Sequence, residues 1–461
     1  MARQEEVTAR VDHESLNELQ RSLAGTVIGP GDPEYDAASV CFNALVDRRP
    51  AVIARCSGPE DVATSFAYAR AQDLDVAVRG GGHNPAGHCV LDGGLVIDLS
   101  QLRGVQVDGD ARIARAEGGS TWLDFDVATQ AFGLVTPGGV VGSTGVCGLT
   151  LGGGIGHLTA QYGLTCDSLV GAELVTPDGR VVRASAEENS ELLWGLRGGG
   201  GNFGVATRLE YRLYPLEHVV GGLLAFGGEG ARDALRRFRD VVAGSPRDLS
   251  CQAVLSVDDS LAPVLLVAPC YTGPAADPEE VRVLRSGPGL VEDTVGPRSF
   301  LEQQRVFDSP YGENRHYWKG QFVRELPDEL IDELLRRVVA LGRVPGGILL
   351  ESLHGAPKDA DMPGGPVAFR HAAFNVSATA IWEEAADDEQ HIAWARETAA
   401  ALEPWSLGGG YVNYMQADEP VERVRAAFGD AAFARLQALK RHYDPGNVLR
   451  RNQNIPPGGT G

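Results

Sequence analysis

The stretch VAVRGGGHNPAGHCVLDGGLVIDL, residues 76–99, decides the reading of this chain. A β-rich run, Val76-Ala77-Val78, enters the loop Arg79-Gly80-Gly81-Gly82, which delivers His83; a second strand, Leu95 to Leu99, leaves it. Three consecutive glycines remove every Cβ, so backbone N–H groups can turn toward one point and approach an anion closely. Arg79 adds a fixed positive charge beside them. A neutral imidazole is a nucleophile, and a hairpin loop would present His83 to whatever the glycines hold. The expectation is a phosphate-bearing cofactor with a histidine set against it. The plain alternative is a glycine-rich surface turn carrying an ordinary histidine. The loop lacks a Gly-Lys-Ser/Thr ending, which excludes a Walker A motif. The following Asn84-Pro85-Ala86-Gly87 opens no apolar periodic helix, which argues against the Rossmann dinucleotide fold.

Two further glycine clusters lie downstream. Residues 136–156 read TPGGVVGSTGVCGLTLGGGIG. Each Gly costs about 1 kcal/mol against Ala inside a helix, so one regular helix is disfavoured. What remains is either a segment lying flat against a large ligand or a series of tight turns. Residues 194–207, WGLRGGGGNFGVAT, run into the alternating strand 208–213. Three glycine-rich backbones in the first half point to one extended cofactor.

Composition narrows the class. A length of 461 residues is ample for two or three domains. The net charge of −21 disfavours nucleic acid and anionic membrane as partners. The start, Met1 to Leu16, is charged and lacks an apolar signal core, and no apolar run is long enough to span a bilayer. Seven scattered cysteines without a Cys-x-x-Cys pair argue against a disulfide framework or zinc site, and scattered histidines indicate no metal centre. A soluble, cytoplasmic enzyme is expected.

Organisation follows the motifs. Pro59-Glu60-Asp61 starts a helix that runs to about Gln72 and leads into the first loop, a β-α-β beginning. A strand at 112–116 precedes a helix near 123–132. From about Glu217 the glycine clusters fade. Amphipathic helices at 233–243, 327–341 and 391–402 then alternate with extended runs at 263–267, 348–353 and 374–382. The helix at 327–341 predicts one buried stripe of Leu330, Ile331, Leu334, Leu335, Val338 and Val339. This region reads as α+β, with helices on one face of a sheet. The tail, 426–443, predicts one more helix, followed by an Asn- and Pro-rich end.

RGGGH at 79–83, LGGGIG at 151–156, YGLTCD at 162–167, RGGGGNFGV at 197–205, YVNY at 411–414 and YDPGN…NQNIPP at 443–457 occur in this order. Together they resemble the berberine-bridge-enzyme-like FAD-linked oxidases of the PCMH-type, or vanillyl-alcohol-oxidase, superfamily. The likeness is greatest to bacterial 6-hydroxy-D-nicotine oxidase-like and antibiotic-pathway members, and it covers nearly the whole chain. It implies an α+β fold: a split FAD-binding domain at 1–216, a substrate domain at 217–407 with an antiparallel sheet backed by helices, and a segment at 408–461 returning to the first. It implies that His83 bonds covalently to the flavin 8α-methyl carbon. Val141 stands where many relatives carry a second, cysteinyl link, so a single histidyl bond is expected, with Cys147 a small packed thiol. The remaining flavin-binding positions implied are Arg79, Gly80, Gly81, Gly82, Asn84, Gly87, Thr144, Gly145, Gly148, Leu149, Gly153, Gly154, Val205, Asn413, Asn452 and Asn454. Thr144 would lie beside the oxygen-reactive face, where a small side chain admits O2.

The activity implied is oxidation of a small alcohol, amine or secondary-metabolite intermediate, by hydride transfer to flavin N5 with O2 as acceptor. An oxygenase of a secondary-metabolite pathway and a non-catalytic flavin protein are the alternatives. Alcohol oxidation needs a proton acceptor. Tyr411 and Tyr414 are the candidates, because the matching segment borders the cleft in relatives. In a strand, Tyr411 and Asn413 would share one face and Tyr414 the other. A tyrosine base needs its pKa of about 10 lowered. Glu351, His354 and His371 are further candidates that read first as structural residues, and Tyr317-Trp318-Lys319 resembles a cleft-lining segment.

Overall fold

A computed structural model describes residue 11, residues 13–308 and residues 312–458. The charged start was read from Met1 to Leu16, and residues 1–10 and 12 of it lie outside the described residues. Among the described residues the strands form three main sheets. The first is ordered Thr26–Ile28, Val52–Arg55, Leu95–Asp98, Val76–Arg79. Its last three strands are parallel, so the chain must cross back over the sheet between them. Helix Pro59–Ala71 makes one crossover, started by Pro59 and the acids Glu60 and Asp61 in its first turn. Residues 80–94 make the other. The expected hairpin is thereby corrected: two parallel strands cannot share a tight turn, and His83 rides on a long crossover that leaves the sheet.

The second sheet is antiparallel, ordered Val105–Asp108, Ile113–Glu117, Val205–Arg212, Leu169–Val175, Val181–Ala184. Helix Trp122–Gln130 packs beside it, entered through a capping box of Thr121 and Asp124. In the glycine-rich run 136–156 the longest regular piece is the short helix Val146–Leu151, as the glycine content implies.

The third sheet has nine strands, all antiparallel, with a central path Pro263–Tyr271, Leu249–Val257, Gly346–Ser352, Phe374–Trp382, Arg315–Val323. Helices Gly230–Gly244, Asp328–Leu341 and Asp388–Ala401 cover one face. Strand alternation sends Ala253, Leu255, Ile348, Leu350, Val376 and Ala378 into that core. The opposite face carries Gln252, Glu351, Asn375 and Ser377, each at most 5% exposed. Register sets Gln252 beside Glu351 and Glu351 beside Asn375, a polar row buried away from the helices.

Two helix readings need correction. In the helix 328–341, Val339 is 41% exposed and Leu341 joins the core instead, so the buried stripe ends at Val338 and Leu341. The tail is two helices, Val421–Phe428 and Asp430–Tyr443, broken at Gly429, whose φ of 80° no helix accepts. Lys440 on the second is fully buried, pairs with Asp444 at 2.8 Å, and donates to the carbonyls of Asn202 (3.0 Å) and Leu449 (2.9 Å). This fastens the chain's end to its third glycine loop. No helix among the described residues is long and apolar enough to cross a membrane.

Candidate functional site

A cavity of about 310 Å³ lies where the crossover loop, the 139–152 segment, the 199–206 loop, Trp318, the turn 412–414 and residues 449–453 converge. Of the positions singled out in the sequence, Gly80, Gly81, Gly82, His83, Asn84, Thr144, Gly145, Gly148, Leu149, Val205, Asn413, Tyr414 and Asn452 line it. Arg79, Gly87, Gly153, Gly154, Asn454 and Tyr411 do not. Arg79, at the end of its strand, is buried and donates to the Ala38 carbonyl, so it is not the positive charge on the cavity wall. The arginine there is Arg451, from the C-terminal return. Gly87 turns against Val46 with a φ of 64°, serving the loop rather than a ligand.

The glycines fall into two kinds. A Cβ on Gly81 would strike the Gly145 amide nitrogen, and one on Gly145 would meet Gly81, so these two let the first and second loops touch. Gly148 and Gly201 have no protein atom within 4 Å of a Cβ position, so their backbones face open cavity. Asn452 holds this wall by donating to the carbonyls of Gly201 (3.1 Å) and Leu449 (3.2 Å). Its Oδ1 and the Trp318 Nε1 are buried with no protein partner. Unpaired polar atoms on a cavity wall are ready for a ligand's hydrogen bonds.

His83 stacks on Phe42, ring centroids 4.4 Å apart. Its Nε2 lies 2.8 Å from Ser143 Oγ, and its Nδ1 3.4 Å from Thr144 Oγ1. Burial, with nearby His316 in support, lowers its pKa to about 3, so the ring is neutral at ordinary pH. Cys147 also lines the cavity, but burial pushes its thiol up to about 12, leaving it protonated and inert.

The YVNY segment is a turn, closed by the Tyr414 amide donating to the Tyr411 carbonyl at 2.9 Å, and the expected strand faces do not apply. The Tyr411 hydroxyl accepts from the amides of Gly154 and Ile155, both at 3.1 Å, and from Asn413 Nδ2 at 2.9 Å. It anchors the glycine run 152–155 from behind. Tyr414 faces the cavity and donates to Glu351 Oε1 at 3.0 Å, while Asn375 Nδ2 donates to Glu351 Oε2 at 2.6 Å. Burial raises the pKa of both phenols, with the Glu351 charge adding to it, so neither is a base by itself. Burial also lifts the Glu351 carboxyl to about 7 against the pull of its two hydrogen bonds. Tyr414 on the cavity wall and Glu351 behind it are thus one hydrogen-bonded pair of titratable groups.

Of Tyr317-Trp318-Lys319, only Trp318 lines the cavity, because alternate residues of a strand oppose each other. Tyr317 donates to Asp418 (2.7 Å) and Lys319 to Glu419 (2.8 Å) on the other face. His371 is exposed and His354 half-buried, and neither lines the cavity. Sequence reasoning missed Phe42 and Ser143, the groups that hold the His83 ring. Ser143 lay inside a quoted motif; Phe42, far upstream in a loop, left no pattern to find.

Residues 50–185 match the family described as FAD binding domain, and residues 410–456 the one described as berberine and berberine like. Over 454 residues the chain is 33% identical to (R)-6-hydroxynicotine oxidase of Paenarthrobacter nicotinovorans, covering 95% of this chain and 98% of that protein. An FAD-linked oxidoreductase of Dictyostelium discoideum is 28% identical over 96% of this chain and 97% of its own. The crystal structure of 6-hydroxy-D-nicotine oxidase from Arthrobacter nicotinovorans superposes with a TM-score of 0.88 at 31% identity, covering 95% of this chain and 99% of that one. A berberine bridge enzyme variant superposes at 0.86 and 20% identity, covering 97% and 100%, a likeness of fold.

Proposed function

The chain belongs to the berberine-bridge-like family of FAD-linked oxidoreductases, and we propose that it is an oxidase acting on a small alcohol or amine, with the flavin held by one histidyl bond and O2 as electron acceptor. The cavity fits FAD: the open backbones of Gly148 and Gly201 leave room for a flat ligand, and Asn452 Oδ1 supplies an unused acceptor. When bound, FAD supplies a hydride acceptor at N5. His83, neutral and lodged between Ser143 and Thr144, is the nucleophile for the covalent bond. Val141 on the cavity wall offers no second link. The flavin unit comprises residues 1–216 and 408–461, with 217–407 as the substrate unit, a division supported by the Lys440 clamp and by Asn452.

The observation that carries the catalytic reading is the Tyr414–Glu351 hydrogen bond at the wall. Tyr414 accepts the substrate's hydroxyl or ammonium proton as it passes its own to Glu351, so no buried phenolate is needed. Glu351 holds the proton on a carboxyl already balanced near neutrality. Anaerobic mixing with alcohols and amines, followed by reoxidation in air with peroxide counted, tests the reading. An oxidase returns one peroxide per flavin reduced. Oxygen inserted into product, or a flavin no substrate reduces, would overturn it.

A further inference from the structure

All seven cysteines are buried and free. Burial raises the thiols of five of them, Cys147 included. The remaining two, Cys41 and Cys89, pack together in one small cluster with Val90. They meet at the loop that carries His83. The Gly82 carbonyl, one residue before it, accepts from the Phe42 amide at 3.1 Å and from Cys89 Sγ at 3.8 Å. Phe42 follows Cys41 in the chain and stacks on the His83 ring. Cys89 also lines the cavity, within reach of a small solute there. Arg79, which acts on both thiols, is 6% exposed, and its Nε and Nη2 have no hydrogen-bond partner. A buried guanidinium with donors to spare is stabilised by an anion beside it. The thiols supply one. Their mutual hydrogen bond, opposed by burial and helped by the Asn43 backbone, Arg79 and Arg48, lowers Cys41 to about 7, and the same bond together with burial raises Cys89. Above neutral pH the pair holds one proton, on Cys89, and a thiolate on Cys41, which is the oxidisable form of the residue.

We propose that Cys41 and Cys89 are a modification site, a dithiol oxidised by hydrogen peroxide, in which Cys41 reacts first and Cys89 resolves it to a disulfide. The Cys41 thiolate attacks one oxygen of the peroxide; an S–O bond forms, the O–O bond breaks, and hydroxide leaves to be protonated to water. The sulfur gives up two electrons and becomes a sulfenic acid. The Cys89 sulfur then attacks the Cys41 sulfur, the S–S bond forms, the S–O bond breaks, and the hydroxide leaves as water with the Cys89 proton. Two thiols and one peroxide give one disulfide and two waters. The bond fastens the segment that carries Phe42 to the crossover that carries His83. The dithiol chemistry needs peroxide alone; that the adjoining cavity is a source of it rests on the oxidase reading.

The test treats flavin-loaded enzyme with hydrogen peroxide, then denatures, alkylates and maps it by mass spectrometry. Wild type should lose two of its seven free thiols to one Cys41–Cys89 cross-link that dithiothreitol reverses. Cys89→Ser should stop at the sulfenic acid, read as a dimedone adduct on Cys41. Cys41→Ser should leave Cys89 at least about tenfold slower to form such an adduct. Thiols that all stay free in wild type, or an oxidation that falls first on any other cysteine, overturn the inference, as does a Cys41 adduct that accumulates in wild type without the cross-link. These readings need no variant to fold. A second arm reduces the flavin anaerobically with light and EDTA, then admits air with no peroxide added, and the same cross-link should appear. A cross-link made by added peroxide in an enzyme whose reduced flavin air does not reoxidise upholds the dithiol and overturns the oxidase reading. Reoxidation in air with no cross-link from either source of peroxide overturns the dithiol and leaves the oxidase reading standing.

Discussion

Tyr414 reaches Glu351 with a 3.0 Å hydrogen bond that joins the C-terminal turn to the central strand of the large sheet. Sixty-three residues separate the partners, and the bond joins two acids, each shifted by burial, into one hydrogen-bonded pair. The phenol alone is too weakly acidic and the carboxyl is hidden behind it. Tyr414→Phe keeps the ring against Trp318 and deletes the proton path. Stopped-flow flavin reduction should slow by about 10²–10⁴-fold, with reoxidation unchanged.

Glu351 sets the pH dependence. Its carboxyl must be ionised to receive the proton, and burial places that ionisation at about 7. Flavin reduction should therefore rise with pH through about 7 and level off above it, and Glu351→Gln should flatten the rise. The same group affects stability in the opposite direction. The folded pKa lies above the unfolded value of about 4.3, so its favourable contribution is complete below that value and is lost as pH rises toward 7. Urea titrations of wild type and Glu351→Gln across this range should diverge by that sign.

Tyr411 has the other fate. Its hydroxyl satisfies the amides of Gly154 and Ile155 in a buried position. Tyr411→Phe should destabilise the fold by about 1–3 kcal/mol in denaturant melts, because two amides lose their acceptor. Flavin reduction should change by less than about threefold. A loss comparable to that of Tyr414→Phe would place Tyr411 in the proton path after all.

His83 carries the covalent prediction. Acid-precipitated wild type should retain yellow flavin, and His83→Ala should release it while remaining folded. Peptide mapping should find a single flavin-bearing peptide containing His83 and none containing Cys147, whose thiol stays protonated.

The C-terminal return is predicted to be required for cofactor retention. Removing residues from Asn447 onward deletes Leu449 and Asn452, which hold the 199–206 loop through Lys440 and directly. Flavin content should fall to near zero. Lys440→Met, which strands Asp444 in the core, should cost about 3–5 kcal/mol in unfolding measurements.

Local pattern accounted for much of this. Pro59, Glu60 and Asp61 announce the helix they start, and alternation announces strands such as Phe374–Trp382. These are nearest-neighbour effects of backbone dihedrals and side-chain period. The glycine loops were legible for the same reason, since a missing Cβ is a property of one residue. The break at Gly429 is not legible in the pattern, because a single glycine inside a helical pattern is ambiguous until its φ is known.

The sequence by itself pointed to three glycine-rich backbones and a histidine gathered at one place, and all three loops and His83 line one cavity. Tertiary structure alone decided which groups stand there. It turned Arg79 inward and brought Arg451 to the wall, made Tyr411 an anchor, joined Tyr414 to Glu351, and buried Glu351 until its carboxyl balanced near neutrality. Desolvation and long-range register produce these outcomes. Both depend on which distant strands lie side by side, a relation that no window of neighbouring residues contains.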